Sequence, residues 1–155
     1  MNTDALEKRI IKILGNHSLK NEEINNVENS LNIKFSDIFL KLNKLCSYEY
    51  AHTFSFFNFG KNGPDSVIET TLGIRENYQN SENFIVLYLD GAGIVLLNVA
   101  DEKSPVIWCS VYDIENVFNN LPLTAKHQFF PTFADFFTYL LDEEEEMRRE
   151  EAAEN

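Results

Sequence analysis

The segment Gly91-Ala92-Gly93 contains residue types that could bind a ligand, because glycine pairs are common in loops that hold nucleotide phosphates. A dinucleotide-binding loop needs a third glycine three residues after the second, and a helix whose N-terminus meets the pyrophosphate. Leu96 stands at that position, and strand-forming residues surround it. The segment therefore predicts a turn between two strands. The sequence also lacks a phosphate-binding P-loop and a nucleophile elbow.

Histidine and cysteine residues are the next candidates for chemistry. His17, His52 and His127 are isolated, and none has a second ligand at the spacing of a metal site. Cys109 lies in a strand-like segment, and a thiolate nucleophile would need a base that the sequence does not locate. Cys46 forms no C-x-x-C pair with it, which favours reduced thiols in a cytoplasm. We therefore expect no catalytic residue, no metal and no cofactor, and we expect that the protein is not an enzyme.

The acidic residues fall into two groups. The run 143–146 is expected to be a mobile, solvated face, whereas an acid/base pair needs carboxylates at fixed positions. Glu28 differs, because it lies beside the apolar stripe of a predicted helix. It is either an ordinary glutamate at the edge of the core or a residue that hydrogen-bonds the backbone where a helix meets the sheet.

Three amphipathic helices are predicted near the start of the chain. The first ends at Gly15, the second is capped by Asn21 and the third is capped by Ser36. Phe35 and Leu40 have the spacing of a hydrophobic staple. The apolar stripes comprise Leu6, Ile10, Ile13 and Leu14; Ile24, Val27 and Leu31; and Phe39, Leu42 and Leu45.

Strand-forming sequence follows these helices. Thr132 and Asp135 then have the spacing of a capping box at the start of a closing helix. We expect Phe133, Phe136 and Leu140 to dock this helix on the sheet. Strands are predicted at 53–59, 85–89, 94–99 and 106–111, turns at 60–65 and 90–93, and a short helix at 66–78, while 112–130 is left unassigned.

This order of elements predicts an α+β fold in one domain, with a twisted, mainly antiparallel sheet flanked by N-terminal helices and a C-terminal helix. We assign residues 1–146 to the domain and 147–155 to an acidic tail that frays. We expect removal of 147–155 to leave the fold intact. No apolar run approaches the roughly 18 residues of a membrane span, so no membrane association is expected.

The net charge of −12 is divided equally between the acidic end, 142–155, and the rest of the chain. A surface this negative repels phosphate backbones, so direct binding of nucleic acid is not expected. The same field attracts a basic partner. The alternative is that the charge only keeps the protein soluble, since net charge specifies no partner.

The sequence has a set of motif residues in a defined order and spacing: Ile24, Glu28, Leu31, Phe39, Leu42, Asp90, Gly91, Gly93, Trp108, Phe133 and Phe136. Over about residues 18–141 these motifs resemble the SUKH superfamily. The sequence departs from the family at Ser36, where proline is usual, at residues 47–48, where Asn-Gly is frequent, and in 112–130, which is longer than usual.

The resemblance implies a function without catalytic residues. Bacterial members of the family are mainly immunity proteins that neutralise polymorphic toxins, many of which are nucleases or deaminases. It therefore implies a cytoplasmic protein-binding module that covers the active site of a basic toxin domain. The alternative is an intracellular regulatory scaffold, like the yeast relative that regulates cell-wall glucan synthesis. The sequence gives no oligomeric state.

Three acids near predicted turns, Asp90, Asp101 and Glu102, are candidates for contact with such a partner. Rigid groups lose less entropy on binding than the acids of a mobile tail. The alternative for each is a plain turn residue. If the folded domain forms the interface, removal of residues 147–155 changes the affinity by less than about tenfold, or ~1.4 kcal/mol.

Overall fold

The computed structural model describes residues 2–43, 59 and 65–155. Within these residues the fold is α+β, as the sequence predicts. No described helix combines the length and the apolar composition of a membrane span. The elements are α1 (Thr3–Leu14), α2 (Asn21–Leu31), α3 (Asp37–Leu42), α4 (Val67–Asn77), β1 (Phe84–Leu89), β2 (Gly93–Asn98), β3 (Val106–Ser110), a 3-10 turn (Val111–Asp113), α5 (Ile114–Phe118), β4 (Gln128–Phe130) and α6 (Phe133–Glu154).

The four described strands form one antiparallel sheet in the order β1-β2-β3-β4. The hairpin predicted around residues 90–93 is confirmed, with Leu89 paired to Ile94 at its closed end. Pairing of β1 with β2 is irregular between Val86 and Tyr88. Paired residues point to the same face of the sheet. The alternation of side chains along β1 is therefore interrupted here, and Val86 and Tyr88 point to opposite faces.

Helical segments cover both faces of the sheet. On one face, Phe130 of β4 contacts Phe136 of α6, with ring centroids 5.2 Å apart. On the other face, Phe84 of β1 contacts Phe118 of α5 at the same centroid distance. The outer edge of β1 is bonded by α4, because the Thr71 hydroxyl accepts the Val86 N–H at 3.0 Å. The core lies between these layers.

The predicted ends of the first helices are partly correct. Gly15 ends α1 with φ of 86°, and the Ser36 hydroxyl caps α3 by accepting the Phe39 N–H at 3.1 Å. The cap predicted at Asn21 is wrong, because Asn21 is already helical and the Lys20 N–H donates to the Glu23 carboxylate at 3.0 Å.

The predicted staple between Phe35 and Leu40 is also wrong. Leu40 is 37% exposed, whereas Phe35 stacks on Phe39 with ring centroids 4.2 Å apart. The Phe35 ring is thus buried in contact with the Phe39 ring. The short helix predicted at 66–78 is confirmed as α4, with Ser66 as its cap. Within this helix Thr71 is buried, whereas Leu72 is 41% exposed.

The closing helix α6 begins as predicted. The Thr132 hydroxyl accepts the Asp135 N–H at 3.0 Å, and Phe133, Phe136 and Leu140 are buried. The expectation that they dock α6 on the sheet is only partly right. The helix α6 packs against α1, α3 and the short strand β4, so most of its contacts are with other helices.

The segment 112–130, left unassigned from the sequence, contains the 3-10 turn, α5 and β4. Several sequence predictions fall outside the described residues: the strand at 53–58, most of the turn at 60–65, Leu45, Cys46, residues 47–48 and His52. Phe59 is described, and it is buried against Phe35 and Phe39.

Candidate functional site

Asp90 occupies the turn between β1 and β2, and its carboxylate organises that turn. One oxygen, Oδ1, accepts the N–H groups of Ala92 and Gly93, both at 2.8 Å. The other, Oδ2, accepts the Tyr88 hydroxyl at 3.3 Å. The backbone donors of Gly93 and Ala92 lower the pKa of Asp90, so the exposed carboxylate is fixed and ionised at neutral pH. Its charge in turn raises the pKa of Tyr88.

Trp108 of β3 lies over Gly93 on the same face of the sheet. A Cβ at Gly93 would stand 2.9 Å from the indole Nε1, so any larger residue would displace the ring. The Trp108 side chain is nevertheless 36% exposed. Gly93 thus touches both the Asp90 carboxylate and the indole, and the structure brings together four residues named from the sequence: Asp90, Gly91, Gly93 and Trp108.

Two tyrosines extend this aromatic surface. Tyr88 pairs with Val95 across β1 and β2, and Val95 pairs with Trp108, so the rings of Tyr88 and Trp108 stand on one face two strands apart. Tyr112 follows β3 at the same end and is 89% exposed. We call Tyr88, Asp90, Gly93, Trp108 and Tyr112 the hairpin surface. Exposed aromatic rings on rigid strands are typical of protein-binding hot spots.

Asp101 and Glu102 do not join this surface. They lie in the turn between β2 and β3, and the six residues of β2, at roughly 3.3 Å each, separate them from Asp90. Asp101 accepts the Lys103 N–H at 2.9 Å, and its backbone carbonyl accepts the Ser104 N–H at 2.9 Å. This geometry accounts for Asp101 as a turn residue, while Glu102 is exposed.

Glu28 is the acid singled out on α2, and it is buried. Its Oε2 accepts the Phe35 N–H at 2.9 Å, and its Oε1 lies 3.5 Å from Lys34 Nζ. Of the two alternatives for Glu28, the structure supports a bond to backbone, but the bonded segment joins α2 to α3 and is not the junction of a helix with the sheet. Glu28 therefore positions Phe35 for its stacking on Phe39.

The other motif residues belong to the helical core. Phe39 contacts Phe133 with ring centroids 4.9 Å apart, which joins α3 to α6. Leu31 and Leu42 are buried, and Ile24 packs against the core from a half-buried position. These residues hold the fold together and are not available to a partner.

The acidic run 143–146 is not the mobile face that the sequence predicts. Glu144 is fully buried, and it accepts a hydrogen bond from Arg148 Nε at 2.9 Å. The Arg148 guanidinium also donates to the Ile13 carbonyl at 2.7 Å, at the end of α1. Arg9 of α1 pairs with Asp142 at 2.7 Å and Glu145 at 3.1 Å. Because Arg148 belongs to 147–155, removal of that segment is now expected to cost stability.

The histidines and cysteine are dispersed in the part of the chain that the structure describes. His17 is half-buried, and His127 is exposed with its Nδ1 3.0 Å from the Ala125 carbonyl. Burial raises the pKa of the Cys109 thiol to about 11, so it is not a thiolate at neutral pH. Among the described residues, no group of three or more His, Cys, Asp or Glu side chains could hold a metal.

Asp113 is a structural acid that the sequence did not single out. It is fully buried, and its carboxylate accepts the N–H groups of Thr124 at 2.9 Å and Ala125 at 3.0 Å. It also accepts the Thr124 hydroxyl at 2.8 Å and the Asn116 amide at 3.0 Å. These bonds, the Thr124 N–H first, lower its pKa to about 2. Asp113 thus attaches the loop at 124–125 to the end of β3.

The preceding residues Leu121 and Leu123 form one side of a groove of about 250 Å³ against the sheet. Apolar side chains of the sheet and α5 line most of the groove, and Leu121 and Phe129 stand at its rim, each more than half exposed. The polar groups on its walls are amides, including Asn116 and Asn120. With no charged side chain in its lining, the groove offers contact area without electrostatic selectivity.

Neither a protein-family model nor a curated protein matches this sequence. The interpretation of the site therefore depends on its own geometry. That geometry provides an ionised carboxylate and exposed aromatic rings on a rigid sheet end, which is suited to recognition of another molecule.

Proposed function

We propose that this protein is a non-catalytic binding module of the immunity type, related to the SUKH superfamily, which neutralises a polymorphic toxin by covering its active site. The observation that supports it best is the hairpin surface, where Trp108 and Tyr112 are exposed and Tyr88 is half-buried, on or beside the strands. Buried anchors in most protein interfaces are aromatic residues of this kind.

The charge of the chain supports a basic partner. A net charge of −12 favours encounter with a positively charged surface and opposes encounter with nucleic acid. Nuclease and deaminase toxins present basic surfaces to their substrates, so an acidic protein that covers such a surface blocks the substrate as well. A protein that protects nucleic acid or nucleotides in this way acts in the cytoplasm.

Co-expression tests this function. The proposal predicts a toxin gene beside the gene for this protein. The toxin domain that it encodes is expressed with and without this protein, and growth and toxin activity are measured. We expect equimolar protein to abolish toxin activity and restore growth. Full toxin activity in the presence of excess protein would contradict the proposal and would favour the regulatory scaffold instead.

Binding kinetics with an inactivated form of that toxin domain provide the second readout. If a basic surface is recognised, raising the salt concentration slows association more than it speeds dissociation. An association rate that is insensitive to salt would contradict a basic partner even if the two proteins bind.

A further inference from the structure

We propose that the hairpin surface receives an arginine side chain of a basic protein partner, with the guanidinium bonded to Asp90 and stacked on Trp108. This inference rests on the proposed function for the nature of the partner. It adds the residue chemistry that the partner must present, and it names the two side chains that recognise it.

The Asp90 carboxylate has acceptor capacity left for a partner. A carboxylate has about four lone-pair positions, and three donors from the described residues occupy this one: the N–H groups of Ala92 and Gly93 and the Tyr88 hydroxyl. Both backbone donors bind Oδ1, so the open position is on Oδ2, which faces the tyrosine. The bonds hold the carboxylate in place before a partner arrives, which lowers the entropy lost on binding.

The charge of Asp90 is not compensated within the described parts of the chain, where no lysine or arginine forms an ion pair with it. Asp4, by contrast, is paired with Lys41, and buried Glu144 is paired with Arg148. An exposed, ordered carboxylate in a strongly acidic chain is complementary to a cation from outside.

Trp108 supplies the second half of the receptor. Indole is the strongest of the aromatic rings in attracting a cation, and a planar guanidinium stacks on it. Gly93 holds the two halves together, because its N–H donates to Asp90 and its missing side chain leaves room for the indole. Arginine fits both groups at once, since it can bond the carboxylate with its forked N–H groups while its plane covers the ring.

The chain contains a single tryptophan, so one indole N–H resonance in a nitrogen-15 NMR spectrum reports on this site alone. The full-length protein is titrated with acetyl-glycyl-arginyl-glycine amide, with the matching lysine peptide and with the neutral citrulline peptide. We expect a saturable shift of the Trp108 resonance with the arginine peptide, a weaker response to lysine and none to citrulline.

Two variants that each remove one negative charge test whether peptide binding depends on Asp90 itself. Asp90→Asn keeps a side-chain carbonyl for the Ala92 and Gly93 N–H groups, so the turn is retained while the charge is lost. Asp101→Asn does the same in the other turn. We expect Asp90→Asn to weaken arginine-peptide binding by about tenfold or more, equivalent to ~1.4 kcal/mol, and Asp101→Asn to leave it unchanged. Trp108→Leu has no indole resonance, so its binding is followed at the Gly93 amide resonance. We expect this variant to bind the arginine peptide more weakly as well.

Each opposite outcome overturns the inference. Equal weakening by Asp90→Asn and Asp101→Asn would mean that only the overall charge acts. Equal binding of the citrulline peptide would mean that no cation is recognised, and the absence of a saturable shift would mean that the cluster is no receptor. None of these outcomes contradicts the proposed function, which is tested by toxin neutralisation. Binding of the arginine peptide without toxin neutralisation would contradict the proposed function and still support the arginine site.

Discussion

The turn between β1 and β2 and the turn between β2 and β3 contain the same type of hydrogen bond but have different surroundings. In each, an aspartate carboxylate accepts the backbone N–H two residues ahead, Asp90 at one end of the sheet and Asp101 at the other. The Asp101 turn is tied into the helices, because Ser104 bonds Ser36 at 2.5 Å and the Phe133 N–H donates to the Lys103 carbonyl at 3.0 Å. The Asp90 turn carries exposed aromatic rings.

The local hydrogen bonds of an aspartate in a turn therefore do not indicate its function. Asp101 belongs to a junction where the sheet meets α3 and α6, so its turn serves stability. Asp90 has its remaining acceptor position and its charge directed outward, so its turn is available for binding. The same contrast predicts that substitutions at the helical end change stability, whereas those at the hairpin surface change recognition.

The largest expected effect on stability is at the helical end. Phe133→Ala removes a fully buried ring that contacts Phe39 and Phe137, and we expect a loss of about 3–5 kcal/mol in the free energy of unfolding. Tyr112→Ala at the hairpin surface is the control, with an expected change within about 0.5 kcal/mol. Chemical denaturation measures both, and a loss at Phe133 below ~1 kcal/mol would show that α6 is not part of the core.

The next effect is at the contact between α6 and α1. Arg148→Ala leaves the buried Glu144 without its arginine and the Ile13 carbonyl without a donor, so we expect a loss of about 1–3 kcal/mol. Arg149→Ala is the matched control, because Arg149 is exposed and makes only a 3.5 Å bond to the Glu145 carbonyl of its own helix. Equal stability of the two variants would mean that the end of α6 is not attached to α1.

A smaller effect is expected at the Asp101 turn. Ser36→Ala removes the cap of α3 and the bond to Ser104, with an expected loss of about 0.5–2 kcal/mol. Ser110→Ala at the other end of the sheet is the control, since its hydroxyl accepts a single N–H, from Tyr112 at 3.3 Å. If the two variants lose equal stability in thermal unfolding, the difference in attachment between the two ends is contradicted.

Acid pH tests the attachment of the loop at 124–125 by Asp113. The pKa of Asp113 is lowered from 3.8 to about 2, so its contribution to stability is full above pH 3.8 and is lost as the pH falls toward 2. Asp113→Asn lacks this titration, so we expect its melting temperature to be lower at neutral pH and to fall less steeply in that acid range. Parallel melting curves for the variant and the parent protein would rule out this role.

Local sequence signals predicted much of the fold. Ser36 and Thr132 were recognised as caps and residues 90–93 as a turn, because their bonds join positions two or three residues apart. Helical spacing also identified Phe133 and Phe136 as core residues. The α+β class follows from the order of these locally determined elements.

Features that depend on distant contacts were missed. Glu144 is buried while Glu143 and Glu146 are exposed, and nothing in a run of four glutamates distinguishes them before α1 is in place. Asp113 bonds residues eleven and twelve positions ahead in a loop. The three candidate acids all lie near turns in the sequence, but strand β2 separates Asp90 from Asp101 and Glu102.

The central claim is that the hairpin surface binds the partner while the Asp101 turn does not. Amide hydrogen exchange of the full-length protein, free and bound to the inactivated toxin domain of its locus, compares the two turns in one experiment. We expect binding to slow exchange at residues 88–93 and 108–112 and to leave 101–104 unchanged. Slower exchange at 101–104, with 88–93 and 108–112 unchanged, would contradict the account.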